Sequence, residues 1–171
     1  MWWKSSKPWS RLGSLDLVGA ETHFRFMQKP VATIGYERAP LADVIQRLKD
    51  GGVELLIDVR AVAASRRAGF SKTMLSGSLA EAGIDYRHLR DLGTPKDGRI
   101  AARAGRHAEM KAIFNQHMLE PEALGALETA ISLTGIKRAC LLCFEHDPAH
   151  CHRTLVAERI VARTGAKVLH L

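Results

Sequence analysis

Pro30-Val-Ala-Thr-Ile-Gly35, Leu41-Ala-Asp-Val-Ile-Gln-Arg-Leu48 and Val53-Glu-Leu-Leu-Ile-Asp-Val59 follow one another along the chain. The first is a short apolar run that reads as a buried strand. In the second, Leu41, Val44, Ile45 and Leu48 recur at helical spacing, Pro40 supplies a fixed φ at the start, and Gly51-Gly52 supplies the stop. The third is apolar throughout except for Glu54 and Asp58, as expected of a strand covered on both faces in a parallel sheet. Strand, helix, strand in that order is the unit of an α/β domain.

Working outward, the same rhythm continues. Ser71 is placed to cap a helix through Met74, Leu75 and Leu79 that stops at Gly83. Ile84 to Leu89 reads as a third strand, and Leu92-Gly-Thr-Pro-Lys-Asp-Gly98 as a loop. A helix over about Glu109 to Leu119 precedes another that opens at Pro121 with Leu124, Leu127 and Ile131 on one side. Lys137 to Cys143 is a fourth strand, Thr154 to Arg163 a helix, and Lys167 to Leu171 a last strand. This alternation predicts a three-layer α/β fold: a mainly parallel sheet of about five strands, joined by right-handed crossovers, with helices on both faces. It does not specify strand order. Residues 27–171 are expected to form a single α/β domain. Residues 1–26, where Trp2, Trp3 and Trp9 stand among charged and turn-forming residues, read as a flexible or peripheral N-terminal extension.

The chain has 171 residues, 46% of them hydrophobic, which suits one globular domain and argues against wholesale disorder. Its 25 Lys and Arg against 18 Asp and Glu give a formal charge of +7, favouring anionic partners: a small anionic ligand, with nucleic acid as the alternative. Three cysteines, Cys140, Cys143 and Cys151, lie in the last third without a disulfide-like distribution, which predicts a reducing compartment. No apolar stretch approaches the roughly 20 residues of a membrane span, and residues 1–26 lack a secretory pattern, so a cytoplasmic location and no membrane partner are expected. A homodimer is the base-rate expectation for such a domain.

In an open parallel sheet, ligands collect beyond the carboxyl ends of the strands. There the first strand delivers Gly35, Tyr36, Glu37 and Arg38, the second Asp58 and Arg60, and the fourth Cys143 and Glu145. The next loop returns His150, Cys151, His152 and Arg153 to a helix start, where free N–H groups favour anions and lower a thiol pKa. Cys143 or Cys151 is therefore a candidate nucleophile, with His150 or His152 as base. An inert thiol with imidazoles capping a turn fits the same residues. Asp58 reads as an acid or base or, preferably, as the carboxylate that orients Arg60. Arg60 and Arg66 precede the next helix as candidate anion contacts, beside Arg153. Tyr36 either closes over a ligand or stands half-exposed at the sheet edge. Lys96 and Arg99 either finish an anion pocket or form solvated surface. Cys140 shares a strand face with Leu142 and reads as core.

The sequence assigns no cofactor. Neither a glycine-rich phosphate loop nor a dinucleotide fingerprint is present, and the positions six after Cys143 and Cys151 hold Ala149 and Ala157 rather than the arginine of a phosphatase loop. Zinc-type donors abound in Cys143, His146, His150, Cys151 and His152. The eight-position gap from Cys143 to Cys151 is not that of a zinc knuckle, and no metal is assigned.

Thr33-Ile-Gly-Tyr36, Leu56-Ile-Asp-Val-Arg60, Ser65-Arg66, Phe70-Ser71, Ile84-Asp-Tyr86, Leu92-Gly93 and Leu141-Leu-Cys-Phe-Glu145 with Cys151-His-Arg153 form an ordered set. On it, from about Val31 to the C-terminus, the chain resembles the bacterial and archaeal family called domain of unknown function 488. The resemblance implies that Gly35, Asp58, Arg60, Arg66, Cys143, Glu145, Cys151, His152 and Arg153 are site residues, and it carries no reaction with it. Tyr36 stands where the family often has His, and Val62-Ala-Ala-Ser65 departs from its usual proline-containing approach to Ser-Arg.

The functional expectation is an enzyme acting on a small anionic substrate, phosphorylated or nucleotide-like. Arg60, Arg66 and Arg153 would meet the charge, Cys143 or Cys151 would supply thiol chemistry, and Glu145 and His152 would handle protons. A nucleic-acid-binding module, a zinc-binding protein and a thiol redox regulator are the alternatives.

Overall fold

A computed structural model describes residues 29–171, and the expectation for the N-terminal extension lies outside the described residues. The elements, in order, are β1 (Val31–Gly35), α1 (Leu41–Asp50), β2 (Leu55–Asp58), α2 (Lys72–Glu81), β3 (Asp85–His88), α3 (Lys96–Arg103), α4 (His107–His117), α5 (Pro121–Ile136), β4 (Ala139–Cys143), α6 (His152–Thr164) and β5 (Val168–His170). Short 3-10 turns at Arg90–Leu92 and Pro148–His150 lead into α3 and α6.

The sheet has five strands in the order β3-β2-β4-β1-β5, and each neighbouring pair is parallel. Successive residues of β4 bury on opposite faces. Ala139, Leu141 and Cys143 join Met110 and Phe114 of α4, Leu127 of α5 and Val156 and Ile160 of α6. Cys140 and Leu142 join Val44 and Leu48 of α1 and Leu75 and Leu79 of α2. The result is the expected three layers, with Cys140 fully buried in the core as its strand position implies. Each fully buried Leu, Ile or Phe contributes about 1.5–3 kcal/mol of burial free energy, so this doubly covered β4 is a main source of stability.

Local chemistry explains most boundaries. Val44 and Leu48 put one face of α1 on the sheet, with Asp43 in its first turn and Arg47 and Lys49 in its last, each suited to the helix dipole. Gly52, at φ +61°, then takes the left-handed conformation that turns the chain into β2.

Three local expectations are corrected. Ser71 occupies the N-cap of α2, but its side chain makes no capping hydrogen bond. Leu124 is 46% exposed, because the buried stripe of α5 runs through Ala123, Leu127, Ala130 and Thr134. The segment read as a loop up to Gly98 contains the start of α3. Gly98 sits inside that helix because a Cβ there would stand 2.5 Å from Thr94 Cγ2, a packing requirement that looks like a turn in the sequence. Tyr36 also differs from the half-exposed alternative: it is buried at 2% exposure.

Candidate active site

The connections after β2 and β4, which are neighbours, leave toward opposite faces of the sheet, the topological position at which parallel sheets place their ligands. Cys143 ends β4, and Cys151 is the residue from which α6 starts. Between them the chain turns over Pro148–His150, where Asp147 Oδ1 accepts from the Ala149 N–H at 2.9 Å. This return brings Cys151 and His152 back beside Cys143.

Four chemically active side chains meet there. Glu145 Oε2 lies 3.0 Å from Cys143 Sγ and 3.0 Å from Cys151 Sγ. His152 Nδ1 lies 3.6 Å from Cys143 Sγ, while its Nε2 donates to the Val59 carbonyl at 2.8 Å. A carbonyl only accepts, so Nε2 carries the hydrogen and the Nδ1 edge faces the sulfurs. The donor atoms of all four side chains lie within 4.8 Å of one another. Cys143, Cys151 and His152 are buried, and Glu145 alone is partly exposed.

The protonation states diverge in this small space. Burial pushes the Cys143 thiol up, reinforced by Cys151 and Glu145. Burial also acts to raise Cys151, but hydrogen bonds from Cys143 and His152 and the charges of His152 and Arg153 outweigh it and hold this thiol below its ordinary value. Burial likewise raises the Glu145 carboxyl, helped by the charge of Cys151. For His152, burial lowers the pKa and contact with Cys151 more than reverses that. The contact between Cys151 and His152 thus shifts the two in opposite directions, the thiol down and the imidazole up.

The loop carrying Glu145 is fixed by its backbone. Arg153, 2% exposed, donates from Nη1 to the Glu145 carbonyl and from Nη2 to the His146 carbonyl at 3.0 Å. Glu37 holds the same loop from β1, its N–H donating to the Phe144 carbonyl at 2.9 Å and its carboxylate accepting from the His146 N–H at 3.0 Å. Gly35 lies directly beneath: a Cβ there would be 1.9 Å from the Glu145 carbonyl oxygen. The sequence suggested Gly35 and Arg153 as ligand contacts, and the structure places both against this loop. Glu37, which the sequence delivers to the same sheet edge, contributes as a brace of the loop backbone.

Beside the cluster, Asp58 and Arg60 form a buried ion pair through Nε–Oδ1 at 2.8 Å and Nη2–Oδ2 at 2.6 Å. Arg60 Nη1 also donates to the Tyr36 hydroxyl at 2.7 Å and the Phe70 carbonyl at 2.9 Å, and Tyr86 donates to Asp58 Oδ2 at 2.7 Å. Burial alone would lower the Arg60 pKa, but Asp58 outweighs it and the guanidinium is held above its ordinary value. Tyr36 stacks on Phe70 with ring centroids 4.1 Å apart, closing the pair from one side. Of the three arginines expected at an anion, Arg60 and Arg153 turn their donors inward, and Arg66 is exposed on the loop after β2.

Further cations gather next to this network. A cleft of about 540 Å³ has Ala61, Arg90, Lys96 and Arg99 in its walls, with Asp91 and Glu120 opposite in charge. Ala61 is two residues beyond Val59, the His152 acceptor, and Gly93 packs so closely on it that a Cβ at 93 would be 2.1 Å from the Ala61 nitrogen. A second cleft, of about 570 Å³, runs along Pro40, Arg67 and Phe70. Neither cleft is walled by Cys143 or Cys151, so these charged hollows lie apart from the two thiols. Among the described residues, no helix is long and apolar enough to cross a membrane.

The family described as Domain of unknown function DUF488 matches residues 40–160, a span that takes in Asp58, Arg60, Arg66 and the whole stretch from Cys143 to Arg153. No curated protein and no solved structure matches the chain.

Proposed function

The chain belongs to the family described as Domain of unknown function DUF488, and we propose that it is an enzyme whose reactive centre is the cluster of Cys143, Glu145, Cys151 and His152 and whose substrate is a small anionic molecule, phosphorylated or nucleotide-like. The observation that carries this reading is the placement of Glu145 Oε2 at 3.0 Å from both sulfurs. A carboxyl held on two thiols, with the pKa values of all three displaced, is the pattern of a functional site. Cys151 brings thiolate character, His152 supports its charge, and Glu145, on the solvent side, is placed to pass a proton between the centre and a bound molecule.

Anion recognition falls to the cations of the neighbouring cleft, Arg90, Lys96 and Arg99, the last of which also donates from Nη1 to the Thr94 carbonyl at 2.9 Å. Asp58 and Arg60 keep the exit of β2 rigid and thereby position the Val59 carbonyl that orients His152. The mixed charge of the cleft walls supports a compact ligand over a long polyanion such as nucleic acid.

The test is a turnover screen of phosphorylated metabolites and nucleotides, with hits repeated in Cys143→Ala, Cys151→Ala and Glu145→Gln proteins. Loss of turnover with retained binding supports the assignment. Full turnover after both cysteine substitutions overturns it.

A further inference from the structure

We propose that Cys143, Glu145, Cys151 and His152 are the four ligands of a divalent cation of the zinc class. This deepens the functional reading above and rests on its placement of the reactive centre: the thiolates would hold a metal ion that activates the substrate, instead of attacking the substrate themselves.

The donor set is the first ground. Two cysteine sulfurs, one imidazole nitrogen and one carboxylate oxygen are the ligand types zinc prefers, and all four donor atoms fall within 4.8 Å of one another. With metal–sulfur bonds of about 2.3 Å and metal–nitrogen bonds of about 2.0–2.1 Å, a tetrahedral site requires a sulfur–nitrogen separation of about 3.6 Å. Cys143 Sγ and His152 Nδ1 are 3.6 Å apart. The 3.0 Å sulfur–oxygen contacts are shorter than the corresponding edge of about 3.5 Å, so Glu145 moves outward slightly on binding.

The surroundings are the second ground. A metal-ligating histidine commonly donates its other ring N–H to a backbone carbonyl, which fixes the ring and presents the free nitrogen to the metal. His152 does this through the Val59 carbonyl at 2.8 Å. The third ground is charge. Arg153 is 2% exposed, and no carboxylate pairs with it among the described residues; it donates to carbonyls, and its Nε has no partner. Two thiolates and a carboxylate around a divalent ion leave one net negative charge, and the Arg153 guanidinium on the Glu145 carbonyl neutralises it. The buried arginine then has the counter-charge that the side chains around it otherwise fail to supply.

Glu145 differs from the other three ligands in being partly exposed. It is therefore the ligand a water molecule or substrate oxygen displaces, while Cys143, Cys151 and His152 remain as a three-ligand base. That division is the one found in catalytic zinc sites, which keep one position open.

The test uses the full chain, reduced and stripped of metal, titrated with cobalt(II) and then zinc. The expected result is a single equivalent of cobalt with a sulfur-to-cobalt charge-transfer band and the visible absorption of a tetrahedral ion, both displaced by zinc. Cys143→Ser and Cys151→Ser should each remove the charge-transfer intensity of one thiolate, and Cys140→Ser should leave the spectrum unchanged. Glu145→Gln should weaken binding by at least about tenfold while keeping both sulfur contributions. In the wild-type protein, zinc should protect Cys143 and Cys151 from alkylation, a readout that does not depend on the folding of any variant.

Absence of cobalt binding, or binding that persists unchanged in both serine variants, overturns the metal assignment. If cobalt does not bind and alkylation of Cys151 still abolishes turnover, the metal assignment falls and the reactive-centre reading stands. If cobalt binds with the expected spectrum and turnover survives Cys151→Ser, the metal assignment stands and the reactive-centre reading falls.

Discussion

His152 donates from Nε2 to the carbonyl oxygen of Val59 at 2.8 Å, joining the first turn of α6 to the exit of β2 and turning Nδ1 onto the sulfur of Cys143. One ring therefore serves both the fold and the proposed centre, and two substitutions separate these contributions. His152→Ala leaves a buried carbonyl unsatisfied and should cost about 1–3 kcal/mol in urea unfolding. It should also lower turnover by about 10²–10⁴-fold if the ring takes part in proton handling. His152→Gln can restore a donor to Val59 but offers no imidazole nitrogen to the sulfurs, so it should recover much of the stability and little of the turnover. Recovery of both would show that the ring acts only as a brace.

The Asp58–Arg60 pair should behave as architecture. Asp58→Ala strands a guanidinium that is 5% exposed, and breaking a buried pair from one side costs about 3–5 kcal/mol. Tyr86→Phe removes a single hydrogen bond to Asp58 Oδ2 and should cost about 0.5–1.5 kcal/mol with turnover retained. Equilibrium unfolding of the two variants measures both. An Asp58→Ala protein as stable as the parent would mean that the ion pair contributes nothing net to folding.

Asp58 and Arg60 also show how far the sequence could be read. Their spacing at the end of an apolar run placed them at a strand exit and favoured the orienting role for Asp58. The acceptors that occupy the rest of the guanidinium, Tyr36 and the Phe70 carbonyl, come from distant parts of the chain and leave no local pattern. Arg153 is similar: a basic residue at a helix start suggests an anion, and the sequence does not record that two carbonyls of the preceding loop already receive its donors. The convergence of Cys143, Glu145, Cys151 and His152 was legible, because a strand end and the next helix start must share the same rim of a parallel sheet. Strand order was not legible, since periodicity reports which faces are covered and not which strand lies alongside. The start of α3 reads as a loop because Gly98 is there for close packing against Thr94, and in sequence such a glycine is indistinguishable from one in a turn.

The cleft makes a separate prediction about affinity. Arg90 and Lys96 are exposed and line it, so Arg90→Ala and Lys96→Ala should leave stability within about 0.5 kcal/mol of the parent. Each should weaken binding of a phosphorylated hit from the screen, and the loss should shrink as salt is raised, because exposed charges are screened. Isothermal titration at two ionic strengths reads both effects. Unchanged affinity in the double variant would move anion recognition elsewhere, with Arg66 as the next position to test.

Gly35 and Gly77 provide the sharpest contrast, because the same substitution should act in opposite directions. Gly77 lies in α2, exposed, and an added Cβ meets nothing within 4 Å, so Gly77→Ala should stabilise the protein by about 0.5–1 kcal/mol through the lower entropy of the unfolded chain. At Gly35 the same methyl group would stand 1.9 Å from the Glu145 carbonyl oxygen and 3.1 Å from Arg153 Nη1. The loop must move, and overpacking of this kind costs about 1–3 kcal/mol. Because the displaced carbonyl belongs to Glu145, its carboxyl is drawn off the two sulfurs at the same time. Gly35→Ala should therefore lose turnover out of proportion to its loss of stability. Adding Gly77→Ala to that protein should raise its unfolding midpoint without restoring turnover. Parallel recovery of both would mean that Gly35 affects activity only through folding, and that the contact beneath Glu145 has no part in positioning the centre.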